Sequence, residues 1–280
     1  MKHTKKGLRL HPHSQKSEKS RPVLSYGFIH EPLEPEAWVF GSASLPSYAT
    51  KEILQPDGNW EAFLPVEEQQ NQHGLETMAC TVFATLNICE IIIKRKYNLD
   101  VNFSDRWLAW ASDISPTGAN PQKIAETLRQ GGVPNQGDWD FTSDLRKWED
   151  FYQTPPAKLI ALARAFLSTW DFKHYVVPGN KEAIKDALKF SPVGMSVSAW
   201  TRSGDVYDQR GAENHWCMTF GINDNYKMFD SYDSFKKLYS KDAKIAIAKG
   251  YYIGKKVNVE RAYLFTDLLQ SIFGDRRLLW

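Results

Sequence analysis

One cysteine, Cys80, stands where a long amphipathic helix is predicted to begin. Apolar residues then recur at the spacing of one helical face, at Val82, Leu86, Cys89 and Ile93. The unpaired amides and the dipole at a helix N-terminus stabilise an anion, so the thiolate form of Cys80 is favoured. A thiolate in that position could act as a nucleophile in acyl transfer. The ordinary alternative is a small cysteine that only fills the core.

The elements that would position this cysteine change character along the chain. A second helix is predicted from Asn120 as N-cap, with Pro121 at its first position and Gly131-Gly132 at its end. A third, over residues 156–170, would turn five apolar side chains inward: Leu159, Leu162, Ala163, Phe166 and Trp170. After a short helix over residues 181–189, strands are predicted near residues 193–199, 215–222, 226–232 and 251–253. Helices followed by strands predict an α+β protein in two lobes, with a site between the lobes.

A histidine and an aspartate fall on two of these predicted strands. His215 shares the less apolar face of its strand with Cys217 and Thr219, and Asp230 lies in the strand that returns beside it. His215 comes 135 positions after Cys80, and Asp230 comes 150 positions after it. A part-buried core histidine with one satisfied hydrogen bond is the alternative interpretation of His215.

Collinear blocks over roughly residues 64–235 resemble the papain-like cysteine peptidases. In chain order they are Cys80-Thr81-Val82-Phe83-Ala84, Gly118-Ala119-Asn120-Pro121, residues 127–134 with Asp138-Trp139, Ala187-Leu188 with residues 192–197, Asn214-His215 with Gly221, and Phe229-Asp230-Ser231-Tyr232. That family places its base and its orienting residue about 130–150 residues after the nucleophile. The spacings of His215 and Asp230 fall within this interval.

The resemblance implies a papain-like two-lobe fold, with a helical N-terminal lobe and an antiparallel β-barrel-like second lobe. It implies Cys80 as nucleophile, His215 as base, and Asp230 in place of the family's orienting asparagine. The backbone of Gly118 and Ala119 would line the substrate cleft.

Three positions depart from the family pattern. Met78 replaces a glycine before the nucleophile, and Thr81 replaces the tryptophan after it. The family's oxyanion-hole glutamine, six residues before the cysteine, is Gly74 here. With a two-residue insertion Gln72 becomes the candidate donor, ahead of the poorer candidates Gln69 and Gln70.

The implied activity is that of a thiol protease, a hydrolase that cleaves a polypeptide substrate through a thioester acyl-enzyme. It requires no metal or organic cofactor. Two alternatives stay open. A transglutaminase-like amide transferase uses the same Cys-His-Asp set, and a catalytically retired papain-like fold could serve as a binding or structural protein.

Composition bounds the setting in which this chemistry would operate. The 280 residues are 42% hydrophobic and 24% charged, which is typical of a soluble globular protein. No stretch is long and apolar enough for a membrane span, and no signal-peptide pattern opens the chain. Three cysteines are too few for a disulfide framework, so we expect a reducing, cytoplasmic location.

The chain divides into four predicted segments. They are a basic disordered tail (1–21), an N-terminal arm lying over the body (22–60), a papain-like peptidase domain (61–258) and a C-terminal helix (259–280). Within the peptidase domain, the helical lobe is expected over about residues 75–175 and the β lobe over about 176–258. The tail has seven lysines and arginines against one acid, so it is either a solvated segment or an arm that docks on a macromolecular partner. The rest of the chain carries a net negative charge, which disfavours nucleic acid as its partner.

Overall fold

The computed structural model describes residues 26–30, 32 and 37–256. Its helices are α1 (Cys80–Tyr97), α2 (Asp105–Ala111), α3 (Pro121–Gly131), α4 (Trp148–Phe151), α5 (Lys158–Thr169) and α6 (Lys181–Ala187). Short 3₁₀ helices span Ser47–Thr50, Glu61–Phe63, Gln72–Gly74 and Gln136–Asp138. The predicted basic tail and the predicted C-terminal helix lie outside the described residues.

Helix α1 has the bounds that its apolar spacing predicts. It begins after Ala79, which offers no side-chain cap, and it ends at Asn98 in the left-handed region with φ 53°. Its last turn carries three cations that complement the helix dipole: Lys94, Arg95 and Lys96. Residues 80–93 are buried on every side, because the helix packs against the sheet on one side and against α2 and α3 on the other.

Helix α3 also starts and stops where the sequence predicts. The Asn120 side chain accepts a hydrogen bond from the Gln122 amide at 2.6 Å, and Pro121 follows at the first helical position. Gly132 ends the helix with φ 70°, and a Cβ there would lie 2.1 Å from the Ala163 carbonyl oxygen. Only glycine fits that close approach between α3 and α5.

Within the described residues, eight strands form one sheet. They are β1 (Trp170–Val177), β2 (Val193–Val197), β3 (Thr201–Ser203), β4 (Val206–Asp208), β5 (His215–Ile222), β6 (Tyr226–Phe229), β7 (Lys236–Tyr239) and β8 (Ala248–Lys255). Their spatial order is β1-β8-β2-β5-β6-β7-β4-β3, and every pair is antiparallel except β4 with β7. Among the described strands no pairing joins β1 to β3. The β-barrel-like lobe expected from the sequence is therefore an open, mostly antiparallel sheet.

Strand β5 lies between β2 and β6, and His215 pairs with Val197 at its start. Its alternation predicted which side chains share a face. Both faces are buried, however, because α1 packs against the sheet at this strand. His215 is therefore buried where the sheet meets the N-terminal end of α1.

The predicted third helix is three residues too long, two at its start and one at its end, and one of its side chains faces the wrong way. Helix α5 ends at Thr169, and Trp170 begins β1, which pairs with β8 along its whole length. Leu162, expected inward, is 38% exposed. The β1–β8 pairing joins residues about eighty positions apart, so local periodicity could not indicate that the chain turns from helix to strand at Trp170.

The described part of the predicted N-terminal arm contributes four buried apolar side chains to the core, namely Phe28, Ala49, Leu54 and Trp60. Trp60 is completely buried, and its indole nitrogen donates to the Leu188 carbonyl oxygen at 2.7 Å. The Phe40 amide donates to the Val176 carbonyl oxygen at 2.8 Å, beside the bridge between Val39 and Val176. The observed fold is α+β, with helices preceding most of the sheet, and none of its described helices has the length and apolarity needed to cross a membrane.

Candidate active site

Cys80 is the first residue of α1 and is buried. Because the first amides of a helix have no partner within it, the Cys80 thiol lies beside unpaired donors and the positive end of the dipole. The thiol is at the meeting point of α1 and the sheet, where His215 also lies.

His215 and Asp230 form a buried hydrogen-bonded pair. His215 opens β5, and Asp230 follows the last residue of β6, so the β5–β6 pairing brings them together. The distance from His215 Nε2 to Asp230 Oδ1 is 2.6 Å. The same oxygen accepts a hydrogen bond from the Ser231 amide at 2.8 Å. The other ring nitrogen of His215, Nδ1, is buried and has no hydrogen bond of standard geometry.

The charges around this pair favour the imidazolium–carboxylate state. Burial alone lowers the pKa of His215, but the Asp230 carboxylate and then the adjacent Cys80 outweigh it and raise that pKa to about 10. Burial alone raises the pKa of Asp230, whereas His215 and then Lys237 bring it below its ordinary value. Since Nε2 bonds to Asp230, Nδ1 is the nitrogen left for the interaction with Cys80.

Lys237, which the sequence analysis did not single out, is the second partner of Asp230. Its ammonium nitrogen lies 2.9 Å from Asp230 Oδ2, and both side chains are almost completely buried. The one sequence signal was its place in β7, where alternation puts Lys237 on the inward face with Tyr239.

Gln70 lies beside the strand end that carries Asp230. Gln70 is fully buried. Its backbone N–H donates to the Ser231 carbonyl oxygen at 3.1 Å, and its side-chain Oε1 accepts from Ser231 Oγ at 2.7 Å. Its Nε2 contacts three acceptors: Glu76 Oε1 at 2.7 Å, Tyr232 Oη at 2.9 Å and the Tyr26 carbonyl oxygen at 3.3 Å. Gln72 lies in the 3₁₀ helix Gln72–Gly74, and its side chain is not part of this network.

A piece of the chain itself, the cleft segment (residues 26–30), lies across this site. The Tyr26 amide donates to the Asn214 carbonyl oxygen at 3.0 Å, next to His215. The Ala119 backbone bonds to the segment on both sides, donating to Gly27 at 2.9 Å and accepting from Ile29 at 3.1 Å.

The cleft segment fits closely into its place. A Cβ at Gly118 would lie 2.0 Å from the Gly27 carbonyl oxygen, and a Cβ at Gly27 would lie 2.3 Å from the Met78 carbonyl oxygen. The Tyr26 ring packs edge-on against His215 at 5.7 Å, and the Phe28 ring stacks on Trp216 at 5.8 Å. Residues 26–30 therefore cover the site as an extended peptide held by backbone hydrogen bonds.

The side chain of Cys217 also lies next to the histidine–aspartate pair. One donor atom from each of His215, Cys217 and Asp230 lies within 4.8 Å of the others, and this is the one such group of three among the described residues that could hold a metal ion. The Lys237 ammonium beside Asp230 opposes a second cation there. Burial, followed by the charge of Asp230, raises the pKa of the Cys217 thiol well above its ordinary value.

Comparison with known proteins depends on structure alone. No family model matches the sequence, and no curated protein matches it. Xylellain, a cysteine protease from Xylella fastidiosa, is 13% identical over 86% of this chain and 99% of that chain, with a TM-score of 0.62. Digestive procathepsin L 3 of the Tenebrio molitor larval midgut is 12% identical over 74% and 73%, with a TM-score of 0.55. The chain has the papain-like fold.

Bromelain from Ananas comosus, solved in complex with the E64 inhibitor, matches over 71% of this chain and 98% of that chain at 15% identity, with a TM-score of 0.50. Met78, just before α1, has φ 56°, a left-handed backbone conformation that glycine adopts without strain.

The papain-like fold brings together most of the residues singled out from sequence. Cys80, His215 and Asp230 converge, and Gly118 and Ala119 face a peptide segment. Gln70 hydrogen-bonds to Ser231 and Tyr232, next to Asp230, and to the Tyr26 carbonyl oxygen of the cleft segment, whereas no side-chain hydrogen bond joins Gln72 to these residues. Sequence spacing could not distinguish the two glutamines, because the chain between them and Cys80 contains the irregular backbone of His73, with φ 58°, which a residue count does not register.

Proposed function

We propose that this protein is a cysteine-type peptidase that hydrolyses peptide bonds, with Cys80 as nucleophile, His215 as general base and acid, and Asp230 as the residue that orients the imidazole. The observation that carries the proposal is the 2.6 Å bond from His215 Nε2 to Asp230, which leaves Nδ1 for the thiol at the start of α1. This is the division of labour between nucleophile, base and orienting group that acyl transfer requires.

The reaction follows from the protonation states of the pair. The Cys80 thiolate adds to the substrate carbonyl carbon, and a carbon–sulfur bond forms as the carbonyl oxygen takes the negative charge. His215 Nδ1 then gives its proton to the departing amine as the carbon–nitrogen bond breaks. Water next attacks the thioester while His215 takes up its proton, and the carboxylic acid product leaves with the thiolate regenerated.

Gln70, rather than Gln72, is our candidate for the side-chain donor of the oxyanion hole. The Gln70 Nε2 already contacts the carbonyl oxygen of Tyr26 at 3.3 Å, and a peptide carbonyl bound there would accept the same donor. The backbone amide of Cys80, which has no partner within α1, is the natural second donor. Glu76 and Tyr232 hold the Gln70 amide in place.

The substrate is a polypeptide that replaces the cleft segment. The Ala119 backbone and the Asn214 carbonyl oxygen already bind an extended chain, and they would bind a substrate backbone in the same way. Gly118 would supply the narrow wall, since a Cβ at this position would collide with the bound chain. Such a peptidase is restrained in the described form until residues 26–30 move away.

Cys217 is the competing nucleophile, because it lies within the group around His215. Two observations favour Cys80. Burial and the adjacent carboxylate keep Cys217 a neutral thiol, and its mid-strand position offers no unpaired amides to stabilise an anion or an oxyanion. Cys80 begins a helix, where unpaired amides are available to stabilise both a thiolate anion and an oxyanion.

The test compares Cys80→Ala with the matched variant Cys217→Ala in hydrolysis of a short fluorogenic peptide by the full chain. We expect Cys80→Ala to reduce kcat by at least about 10³-fold, since loss of the nucleophile removes the covalent route. Cys217→Ala should retain activity within about tenfold of the wild type, as is usual for a residue that only fills space. The reverse ranking would transfer the nucleophile to Cys217. Product analysis with an added primary amine separates hydrolysis from amide transfer.

A further inference from the structure

Lys237 is a buried lysine with an unusual set of partners. Only 6% of the residue is exposed. Its ammonium nitrogen contacts four oxygens, namely Asp230 Oδ2 at 2.9 Å and the carbonyl oxygens of Tyr232 at 3.1 Å, Asp233 at 3.1 Å and Ser234 at 2.6 Å. It also lies 5.2 Å from the ring centroid of Trp200, whose ring in turn packs against His215.

A buried ammonium is costly unless nearby oxygens replace the water that it loses. Three carbonyl oxygens and one carboxylate do so here, and all four belong to the turn between β6 and β7. The turn is closed by the hydrogen bond from the Asp230 amide to the Phe235 carbonyl oxygen at 2.9 Å. Lys237 therefore fastens the segment that carries Asp230 and balances the carboxylate charge at the same time.

We propose that Lys237 is a positioning residue for the reaction described above, which acts through Asp230 by pairing with the carboxylate oxygen that His215 does not use. The two oxygens of Asp230 divide between two cations, with Oδ1 bonded to His215 and Oδ2 beside Lys237. Asp230 and Lys237 together carry no net charge. The pair therefore acts on His215 as a neutral orienting group would. The proposal depends on the proposed function of His215 and Asp230.

The charges that face His215 determine what each substitution should do. The titratable or charged groups around it, from α1, β5, β7 and the neighbouring loops, are Cys80, Cys217, Asp230, Lys237, the phenols of Tyr26 and Tyr232 and, beyond Tyr232, Glu76. Loss of the Asp230 charge alone leaves the Lys237 ammonium uncompensated beside the imidazolium. Loss of both charges restores neutrality.

This reasoning predicts that the two substitutions are not additive. Asp230→Asn by itself should damage the site, although an amide can still accept from the ring nitrogen, because a buried cation then faces His215. Asp230→Asn combined with Lys237→Met should recover part of the loss. If Lys237 only fastened the turn, the second substitution would remove three more hydrogen bonds and lower the activity further.

The experiment is a titration of the imidazole of His215 by NMR in the full chain labelled with ¹⁵N-histidine, with kcat/KM for a peptide measured over the same pH range. The protein has seven histidines, and His215→Asn assigns the signal. The variants are Asp230→Asn, Lys237→Met and the combination of the two. The matched control is Lys236→Met, the next lysine in β7, which is half exposed and pairs with Glu61 at 3.3 Å.

We expect the titration midpoint to be lowest in Asp230→Asn, by about 1–3 pH units relative to the wild type. It should rise again in the double variant, and in Lys237→Met it should lie above the wild type. Lys236→Met should leave the midpoint unchanged. The peptide activity of the double variant should exceed that of Asp230→Asn.

A double variant with a midpoint and an activity no higher than those of Asp230→Asn would overturn the proposal, as would a double variant that does not fold. If Lys237→Met alone fails to fold, the comparison of Asp230→Asn with the double variant still decides. Absence of peptide hydrolysis by the wild type, with the order of midpoints intact, would instead reject the peptidase function and leave the charge pairing standing.

Discussion

Gln70 and Gln72 are two residues apart in the sequence and have different surroundings in the structure. Gln70 is buried against Ser231, Tyr232 and Glu76, whereas Gln72 is only part-buried in a 3₁₀ helix. We therefore predict that Gln70→Ala lowers kcat by about 10²–10³-fold, the usual effect of losing one oxyanion donor. Gln72→Ala should leave kcat within about threefold of the wild type, since it contacts none of these residues.

The measurement is kcat and KM of both variants on one peptide, with the Tm of each protein as a control for folding. An equal and large loss in the two variants would contradict the assignment of the donor to Gln70. A loss in Gln72→Ala alone would favour the spacing argument made from the sequence.

At the scale of elements, the cleft segment and the body of the protein approach closely at two glycines, Gly27 in the segment and Gly118 in the body. Gly27 has φ 102°, and a Cβ there would lie 2.3 Å from the Met78 carbonyl oxygen, so Gly27→Ala is both strained and obstructed. The left-handed conformation alone costs a non-glycine residue about 1–2 kcal/mol, which opens the site roughly 5–30-fold more often. We predict a rise in kcat/KM of about that size on a short peptide.

Gly41→Ala is the matched control for this prediction. Gly41 also has a positive φ, 79°, but nothing lies within 4 Å of the position of its Cβ. The same strain at a site away from the cleft should leave kcat/KM unchanged. A fall in both Tm and kcat/KM for Gly27→Ala would show that residues 26–30 support the fold and do not restrain the site.

At the scale of the whole molecule, two buried acidic side chains, Glu90 and Asp105, and the part-buried Glu68 make stability depend on pH. Burial raises the pKa of Glu68, and it raises the pKa of Glu90 and Asp105 well above ordinary values, with additional repulsion between the carboxylates. None of these acids joins an ion pair in the part of the chain that the structure describes. Each group stabilises the folded state when protonated, and this contribution is lost as pH rises through the raised pKa.

Asp105→Asn should therefore raise Tm at pH 8 by about 2 °C or more and have little effect at about pH 3.5, where the carboxyl group is mostly protonated in the unfolded chain as well. The amide cannot ionise, so the cost of a buried carboxylate at high pH disappears. Asp242→Asn, an exposed aspartate without an ion pair, is the control and should leave Tm unchanged at both values. Thermal unfolding at several pH values measures the effect. A Tm difference that does not vary with pH would contradict the buried-acid explanation.

The sequence by itself determined the local framework. The apolar spacing after Cys80 set the bounds of α1, the Asn120-Pro121 and Gly131-Gly132 signals set those of α3, and alternation indicated which side His215 takes on β5. These features depend on neighbours within a few residues, which the sequence records directly. The resemblance to papain-like peptidases then joined Cys80, His215 and Asp230, and it agrees with the fold that the comparisons show.

The tertiary structure alone decided the rest, because those features depend on contacts between distant segments. Strand β1 exists through its pairing with β8, and the burial of both faces of β5 depends on α1. Gln70 lies beside the site through its bonds to Ser231 and Tyr232, and the irregular backbone at His73, between both glutamines and Cys80, hid this from residue spacing. The sequence marks Lys237 only by its alternation with Tyr239, and the turn between β6 and β7 is what places its charge beside Asp230. Electrostatic and steric partners of this kind are set by three-dimensional proximity, which residue spacing does not encode.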